Sequence, residues 1–494
     1  MRVPHASQRL IATLLTALGC ACQAPEPRAA DQVPVAAPAE WHAQDAAPGK
    51  VELEGWWRHF EDSRLDALVA DVLANNHDLI AASARIDAAR AQARVAGASL
   101  QPSVGVGGNG ARRRQNFVGL PLPGGGVLSS TSNTFGVSLD ISWELDLWGK
   151  LDAHARAADA DLAATTAQSH GVQLSLAGQA VKAWFALAEA KAQRELAERR
   201  VASFEQTTEV MRNRYRQGRI EALDMHLAEA QLSQAKAVRA AQRSVIERVS
   251  RQIEILAGGY PEGTLAPAAA LPRLPDPVPA GLPSELLQRR PDLVAALEGL
   301  RASDYRLFEA RKQLWPSLSL SASGGRSGAA VGDLLDGDFN VWSLVGNLTQ
   351  PVFQGGRLRA GVDLADARVR ESLANYSQAI LTAFSEVEIA LATERSLTLR
   401  ESELADATRH AGKAEEIAEE RYLAGRHDIL SVLTARRQSF DNESAHLSVQ
   451  RERLDRRVDL YLALGGGFGE PHDDGASDER NVEQRASGAE ETSR

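Results

Sequence analysis

The sequence says nearly the same thing twice. Asp78, Leu79, Ala82 and Pro102 return as Asp292, Leu293, Ala296 and Pro316, 214 residues later. Beyond the first loop the interval shortens to 207, and Leu151, Leu174, Tyr215 and Gly218 return as Leu358, Leu381, Tyr422 and Gly425. A register held over so long a stretch means that both halves carry one succession of elements, with a few residues lost from a connection in the second copy. The chain is a tandem duplication of one supersecondary unit, and such units are natural staves for a ring.

Within each half the hydrophobic period changes from helix to strand and back. Leu65, Leu68, Val72, Leu79 and Ile86 fall at helical spacing and predict a helix from Leu65 to Leu100, ended by Pro102. Phe135, Val137, Leu139, Ile141, Trp143, Leu145 and Leu147 then alternate with polar or small residues, which predicts a strand with one greasy and one wet face. Val104 and Val106 begin its weaker partner, and a long loop with Pro121, Pro123 and Gly124 to Gly126 near its tip joins the two. From Gly149 to about Arg216 there is no proline, and Leu174, Ala177, Val181, Trp184 and Ala188 step by three and four as in a coiled-coil seam. Such a helix is about 100 Å long. It breaks at Gly218, and a second helix runs back from Glu221 to about Leu256. The second half repeats the order: a helix from Ser284 to Leu314, strands beginning at Leu318 and returning through Trp342, Leu344 and Leu348, a long helix from about Gly355 to Arg421, and a last one from Asp428 to Leu464.

The ends bound the rest. Arg2, Arg9 and the apolar run Leu10 to Leu18 read as a targeting segment, residues 1–19, too short to span a bilayer as a mature helix. Ala17-Leu18-Gly19-Cys20 resembles a bacterial lipobox, with Cys20 as lipid acceptor and Cys22 as its competitor; the alternative is an ordinary secretory signal. Both cysteines lie there, so the body of the chain contains no disulfide. Residues 20–55, rich in Pro and Ala, read as an extended tether, and Trp56, Trp57 and Phe60 open the first repeat, 56–257. A Pro-rich linker, 258–283, leads to the second repeat, 284–467, and the acidic tail, 468–494, reads as disordered. A net charge of -10 argues against nucleic acid as a partner.

Four strands cannot close a membrane barrel, whose smallest natural members have eight, and an open edge in lipid leaves backbone groups unsatisfied. If these strands cross a membrane, the chain must oligomerise.

Gly281-Leu282-Pro283-Ser284-Glu285-Leu286-Leu287-Gln288-Arg289-Arg290-Pro291-Asp292-Leu293, Trp143-Glu144-Leu145-Asp146-Leu147-Trp148-Gly149 and its repeat Gln350-Pro351-Val352-Phe353-Gln354-Gly355-Gly356 carry a specific resemblance. So do the turns Arg214-Tyr215-Arg216-Gln217-Gly218 and Arg421-Tyr422-Leu423-Ala424-Gly425. From Trp56 to Gly467 the chain resembles the TolC family of outer-membrane factors, in its lipoprotein branch. The resemblance implies a mainly α fold with a membrane β-barrel: a homotrimer whose 12 strands form one barrel, continuous with a long α-helical barrel in the periplasm. It further implies a trimeric exit duct of a tripartite efflux pump, with a periplasmic adaptor and an inner-membrane RND-type pump as partners and outer-membrane lipid around it. A type I secretion channel is the runner-up, and a lipid-tethered coiled-coil scaffold without a pore is the competitor from another class.

By the same resemblance Gly218 and Gly425 mark adaptor-contact tips. A periplasmic gate is expected from Asp224, six residues after Gly218, with Tyr422 and with His427 where some members have arginine. Ser431 and Thr434 stand where some members place an acidic ring, a departure that removes the charge. Asp140, Glu144 and Asp146 lie on the polar face of the best strand, as a lumen face requires. Gly105 to Gly110 matches a nucleotide-loop pattern but lies inside a strand, and no metalloprotease, nucleophile-elbow or P-loop motif occurs, so neither an enzyme nor a cofactor is expected.

Overall fold

A computed structural model describes residues 33–43, 53–117, 128–265, 270–279 and 281–467. Cys20, Cys22, the loop tip around Pro121 and the acidic tail lie outside the described residues. The helices are α1 (Ser63–Asn75), α2 (His77–Ala98), α3 (Lys150–Arg216), α4 (Ala222–Leu256), α5 (Pro283–Arg289), α6 (Pro291–Lys312), α7 (Arg357–Leu423) and α8 (Ile429–Ala463). The strands are β1 (Ser103–Phe117), β2 (Leu128–Leu145), β3 (Ser317–Gly328) and β4 (Asn340–Thr349). The duplication is now residue for residue: α3 and α7 both have 67 residues, α4 and α8 both have 35, and each pair is offset by 207 at both ends.

Two expectations change. The helix expected from Leu65 to Leu100 is two helices broken at Asn76, whose side chain accepts from the Asp78 amide and donates to the Leu256 carbonyl at 2.8 Å. An Asx side chain that bonds its own backbone in this way competes with the helical ladder. The helix expected from Ser284 to Leu314 breaks at the equivalent place, between Arg290 and Pro291, because proline denies the preceding residue its helical conformation. Arg290 also takes over the tie of Asn76, donating to the Ala463 carbonyl at 3.2 Å, 207 residues beyond Leu256. By contrast, His170-Gly171 leaves α3 unbroken.

Packing divides the chain into two units. One comprises Arg85–Thr165 and Ala295–Ser377, and the other Val35–Ala84, Thr166–Val294 and Gln378 onward.

The first unit holds a single antiparallel sheet in the order β1-β2-β3-β4. Its register sets Leu139 opposite Val106 and Gly324, and Ala322 opposite Ile141 and Leu344. Val104, Val106, Leu139, Ile141, Trp143, Trp342, Leu344 and Leu348 therefore share one face, and all are exposed. On the other face Asp140 accepts from Ser138 Oγ at 2.8 Å and Ser323 Oγ at 2.6 Å, with Ser319 and Ser321 in line. The motif around Trp143 is the joint from strand to helix. Trp143 Nε1 donates to the Leu100 carbonyl, Trp148 Nε1 donates to the Pro316 carbonyl, and Asp146 accepts from the Asp152 amide in the first turn of α3. Gly149, at φ 73°, makes the bend that only glycine adopts without strain. In the second copy Gln350 replaces Trp143 and donates to Leu314, the counterpart of Leu100.

In the second unit the coiled-coil seam of α3 is buried as expected, at Leu174, Ala177, Val181, Trp184 and Ala188; of the like-spaced residues Ile380, Phe384, Val387 and Leu391 on α7 the first three are buried and Leu391 is half-buried. Trp56 has 0% exposure and stacks on Tyr461 at 5.2 Å. Part of the expected tether is strapped down. Trp41, 3% exposed, meets Phe384 edge-on and donates to the Gly281 carbonyl, and the amides of His42 and Ala43 donate to Glu388. The signature arginine Arg290 binds Asp292 through two nitrogens and also reaches Glu386 at 2.6 Å.

One carboxyl on α8 gives a pH-dependent prediction. Burial pushes Asp455 up to about 6, in spite of Arg451 and Lys182 beside it and with Asp459 and Glu189 adding to the rise. Its ionised form thus costs more in the folded chain than in the unfolded one. The penalty is in force above about pH 6 and is relieved as pH falls toward the ordinary carboxylate range. Asp455→Asn is expected to stabilise the protein at neutral pH, by up to about 3 kcal/mol, and to flatten stability between pH 4 and 6. Chemical denaturation of both proteins across that range checks it.

Candidate functional site: the paired helical tips

Each long helix ends at a glycine. The Gly218 amide donates to the Tyr215 carbonyl and the Arg219 amide to Arg214; Gly425 and Arg426 repeat both bonds with Tyr422 and Arg421. These are the two bonds of a Schellman cap, and Gly218 and Gly425, at φ 67° and 70°, take its left-handed position. The chain turns and re-enters a helix within a few residues.

Between the two hairpins lies a small apolar core of Val201, Phe204, Met211, Ala228, Ala235, Ile429, Val432 and Leu433. Two arginines fasten its rim. Arg214 Nη1 donates to Tyr422 Oη at 2.5 Å, and its guanidinium lies 4.9 Å from the ring centroid, so a hydrogen bond and a cation–π contact join the tips. Arg436, almost wholly buried, binds Glu415 at 2.9 Å and Glu419 at 3.0 Å on α7, and Thr207 Oγ1 at 2.5 Å on α3.

The residues expected at a gate are near one another but not joined as expected. Burial raises the Tyr422 phenol, Arg214 opposes this, and the charge of Asp224 adds to the rise, so Asp224 acts on Tyr422 through space. Tyr422 Oη accepts from Arg214 and donates to Met211 Sδ at 3.6 Å, and among the described residues it makes no hydrogen bond to Asp224. His427 Nε2 faces Arg421 Nη1 at 3.3 Å. Ser431 is occupied by a helix cap: its amide and hydroxyl both donate to Asp428 Oδ1, at 3.0 and 2.6 Å. These two bonds, the hydroxyl first, hold the Asp428 carboxyl below its usual range. Thr434 is exposed, and with Ala411, Ala414, Asp428 and Ser431 it lines a surface groove of about 440 Å³.

Sequence reasoning missed Arg214 and Arg436. An arginine directly precedes the tyrosine in both tip motifs, which was a usable signal for Arg214. Nothing in Ala435-Arg436-Arg437 tells which arginine turns inward.

The profile of the family described as outer membrane efflux protein matches residues 68–259 and 282–466, one stretch in each repeat. The chain belongs to that family. It is 31% identical over 447 residues to the antibiotic efflux pump outer membrane protein ArpC of Pseudomonas putida, covering 90% of this chain and 91% of that one. It is 32% identical over 419 residues to the outer membrane protein OprJ of Pseudomonas aeruginosa, covering 84% and 86%. Among solved structures, the outer-membrane channel OprN superposes with a TM-score of 0.82 at 28% identity, covering 88% of this chain and 98% of that one. The fold is that of the family's channels: mostly helical, with a short sheet carried between the duplicated helices. No helix among the described residues is long and apolar enough to cross a membrane. The family's members are channels and transport components.

Proposed function

We propose that three copies of this chain form the outer-membrane exit duct of a tripartite efflux pump, passing small toxic compounds outward. The sheet carries this reading. It has an exposed apolar face, a serine-lined opposite face and two unpaired edges, β1 and β4, and such a sheet persists in lipid only if further copies close it. Twelve strands from three copies would supply that closure. The paired tips are the surface offered to a periplasmic adaptor, with an RND-type pump behind it, and Cys20, or Cys22, carries the lipid. Membrane fractionation with heat-modifiable, trimer-sized migration in detergent tests this. A monomer in the soluble periplasmic fraction would refute it.

The tips act as the gate, with Arg214 added to Asp224 and Tyr422 and with His427, Ser431 and Thr434 beside them. Arg214→Ala combined with Tyr422→Phe and Asp224→Ala is expected to raise the resting conductance of single channels in planar bilayers. An unchanged conductance would remove the gate from these residues.

A further inference from the structure

The apolar face of the sheet ends at a definite level, and arginines stand on that level. Along β2 the row on this face is apolar from Leu145 to Phe135 and polar at Asn133, Thr131 and Ser129. The ten residue steps from Leu145 to Phe135, at about 3.4 Å each on a strand tilted by about 40°, give a band about 26 Å tall, close to the apolar band of a membrane barrel. Arg326 is paired with Val137, one rung below the top of that band, and Arg112 with Asn133, one rung above it. Arg114 follows opposite Thr131. The period of two keeps all three in phase with Val106 and Ala322, while Arg113 falls on the serine-lined face.

The connection from β3 to β4, residues 329–339, folds back over the same face as a flap. Gly328 allows this, since a Cβ there would lie 2.3 Å from the side chain of Asp333. Val331, Leu334 and Leu335 on the flap and Val106, Val137 and Leu139 on the sheet line a groove of about 620 Å³, and Arg326 lines it with them. Arg326 holds the flap, donating from Nη1 to the Leu334 carbonyl at 3.0 Å and from Nε to Asn340 Oδ1 at 3.3 Å. Its Nη2 makes no hydrogen bond among the described residues. No strand position on this face holds a carboxylate, and the flap's Asp333 and Asp336 accept from the Ala330 and Asp338 amides. Arg112 and Arg114 are exposed; Arg114 donates to Ser129 Oγ at 3.2 Å, and none of the three arginines forms an ion pair among the described residues.

We infer that this rim binds a phosphorylated saccharolipid of the outer leaflet, of the lipid A type. One acyl chain lies in the groove beneath the flap, one phosphate sits on Arg326, and a second sits on Arg112 with Arg114 beside it. The inference rests on the exit-duct reading, under which the Trp143 joint faces the periplasm and the opposite end of the sheet lies in the outer leaflet. An arginine on the lipid side of a strand is costly at the bilayer midplane and nearly free at the interface. A phosphate at that level makes it favourable, through the paired charge-assisted hydrogen bonds that a guanidinium fork offers.

Two separated arginine sites select for two phosphates. Arg326 and Arg112 stand two strands and four residue steps apart, about 17 Å between Cα atoms by strand spacing, and their long side chains can reach inward from both ends of a headgroup. A glycerophospholipid with a single phosphate engages one end only. The groove lies over β2 and β3, between the unpaired edges β1 and β4, so its acyl seat belongs to one chain.

The test uses full-length protein purified in detergent, stripped of lipid and titrated under native mass spectrometry. Bisphosphorylated lipid A is expected to bind at up to one molecule per chain, and monophosphorylated lipid A about tenfold more weakly, for the loss of one charge-assisted contact. Phosphatidylglycerol is expected to bind more weakly than either. Arg112→Gln with Arg114→Gln should lower the affinity for bisphosphorylated lipid A about tenfold and remove its advantage over the monophosphorylated form. Arg113→Gln, on the other face, should change neither, and Leu335→Gln in the flap should weaken both forms alike. Arg326→Gln would release the flap as well as the phosphate, so the Arg112 and Arg114 pair decides. Trimers that bind both forms of lipid A equally, or that lose as much affinity with Arg113→Gln as with the pair, overturn the inference and leave the exit-duct reading standing. A chain that stays monomeric in the soluble periplasmic fraction overturns both.

Discussion

Arg436→Ala is expected to loosen the joined tips by about 3–5 kcal/mol, the cost of removing one partner from a buried ionic cluster. The guanidinium pairs with Glu415 and reaches three helices at once, through Glu415 and Glu419 on α7, Thr207 on α3 and its own α8. Without it Glu415 and Glu419 lose the cation they share at the edge of an apolar core. Arg436→Met fills the space but leaves those charges, so it should behave much like alanine. Arg436→Met with Glu415→Gln and Glu419→Gln should recover most of the loss, because an ionic cluster replaced as a whole by neutral groups costs little. Hydrogen exchange of the backbone from 405 to 440 reads the result. Unchanged protection in Arg436→Ala would mean that the cluster does not hold the tips.

Trp56→Ala should cost about 3–5 kcal/mol of global stability, the usual range for deleting a buried large aromatic ring. The indole is fully buried, stacked on Tyr461 and set edge-on against Trp57 and Phe60, and Phe60 in turn meets Phe185 of α3. Among the described residues its Nε1 has no hydrogen-bond partner, so within them the ring acts through packing. Trp56→Phe should therefore keep most of the stability. Denaturant midpoints followed by the helical circular dichroism signal distinguish the two substitutions.

The parts of the fold written in periodicity were legible from the chain, and those decided by single side chains were not. Six of the seven alternating apolar residues, Phe135 to Leu145, fall in β2, and the three-and-four steps around Val181 set the buried seam of α3. The duplication then supplied the weaker elements by analogy, β1 and β3 above all. The break at Asn76 was invisible because asparagine stops a helix only where it finds partners, here the amide of Asp78 and a carbonyl 180 residues away. The strapping of Trp41 to Phe384 depends on a partner more than 340 residues distant, which no local pattern announces. At the tips the turn glycines were legible from their chemistry, and Tyr422 from its motif. The partner of Tyr422 was not, because Arg214 approaches from the other half of the chain.

The equal lengths of the hairpins act as a shared ruler. With 67 residues in α3 and in α7, and 35 in α4 and in α8, the contact of Arg214 with Tyr422 forms only because both tips end level. A heptad gained in both helices of one hairpin alone would carry its tip about 10 Å past the other and leave Arg214 facing bare helix. Insertions and deletions in these helices must therefore arise in matched sets across the two halves. The reach of the hairpins toward any partner can change only in common steps, and a relative with longer helices should have lengthened all four by the same whole number of turns.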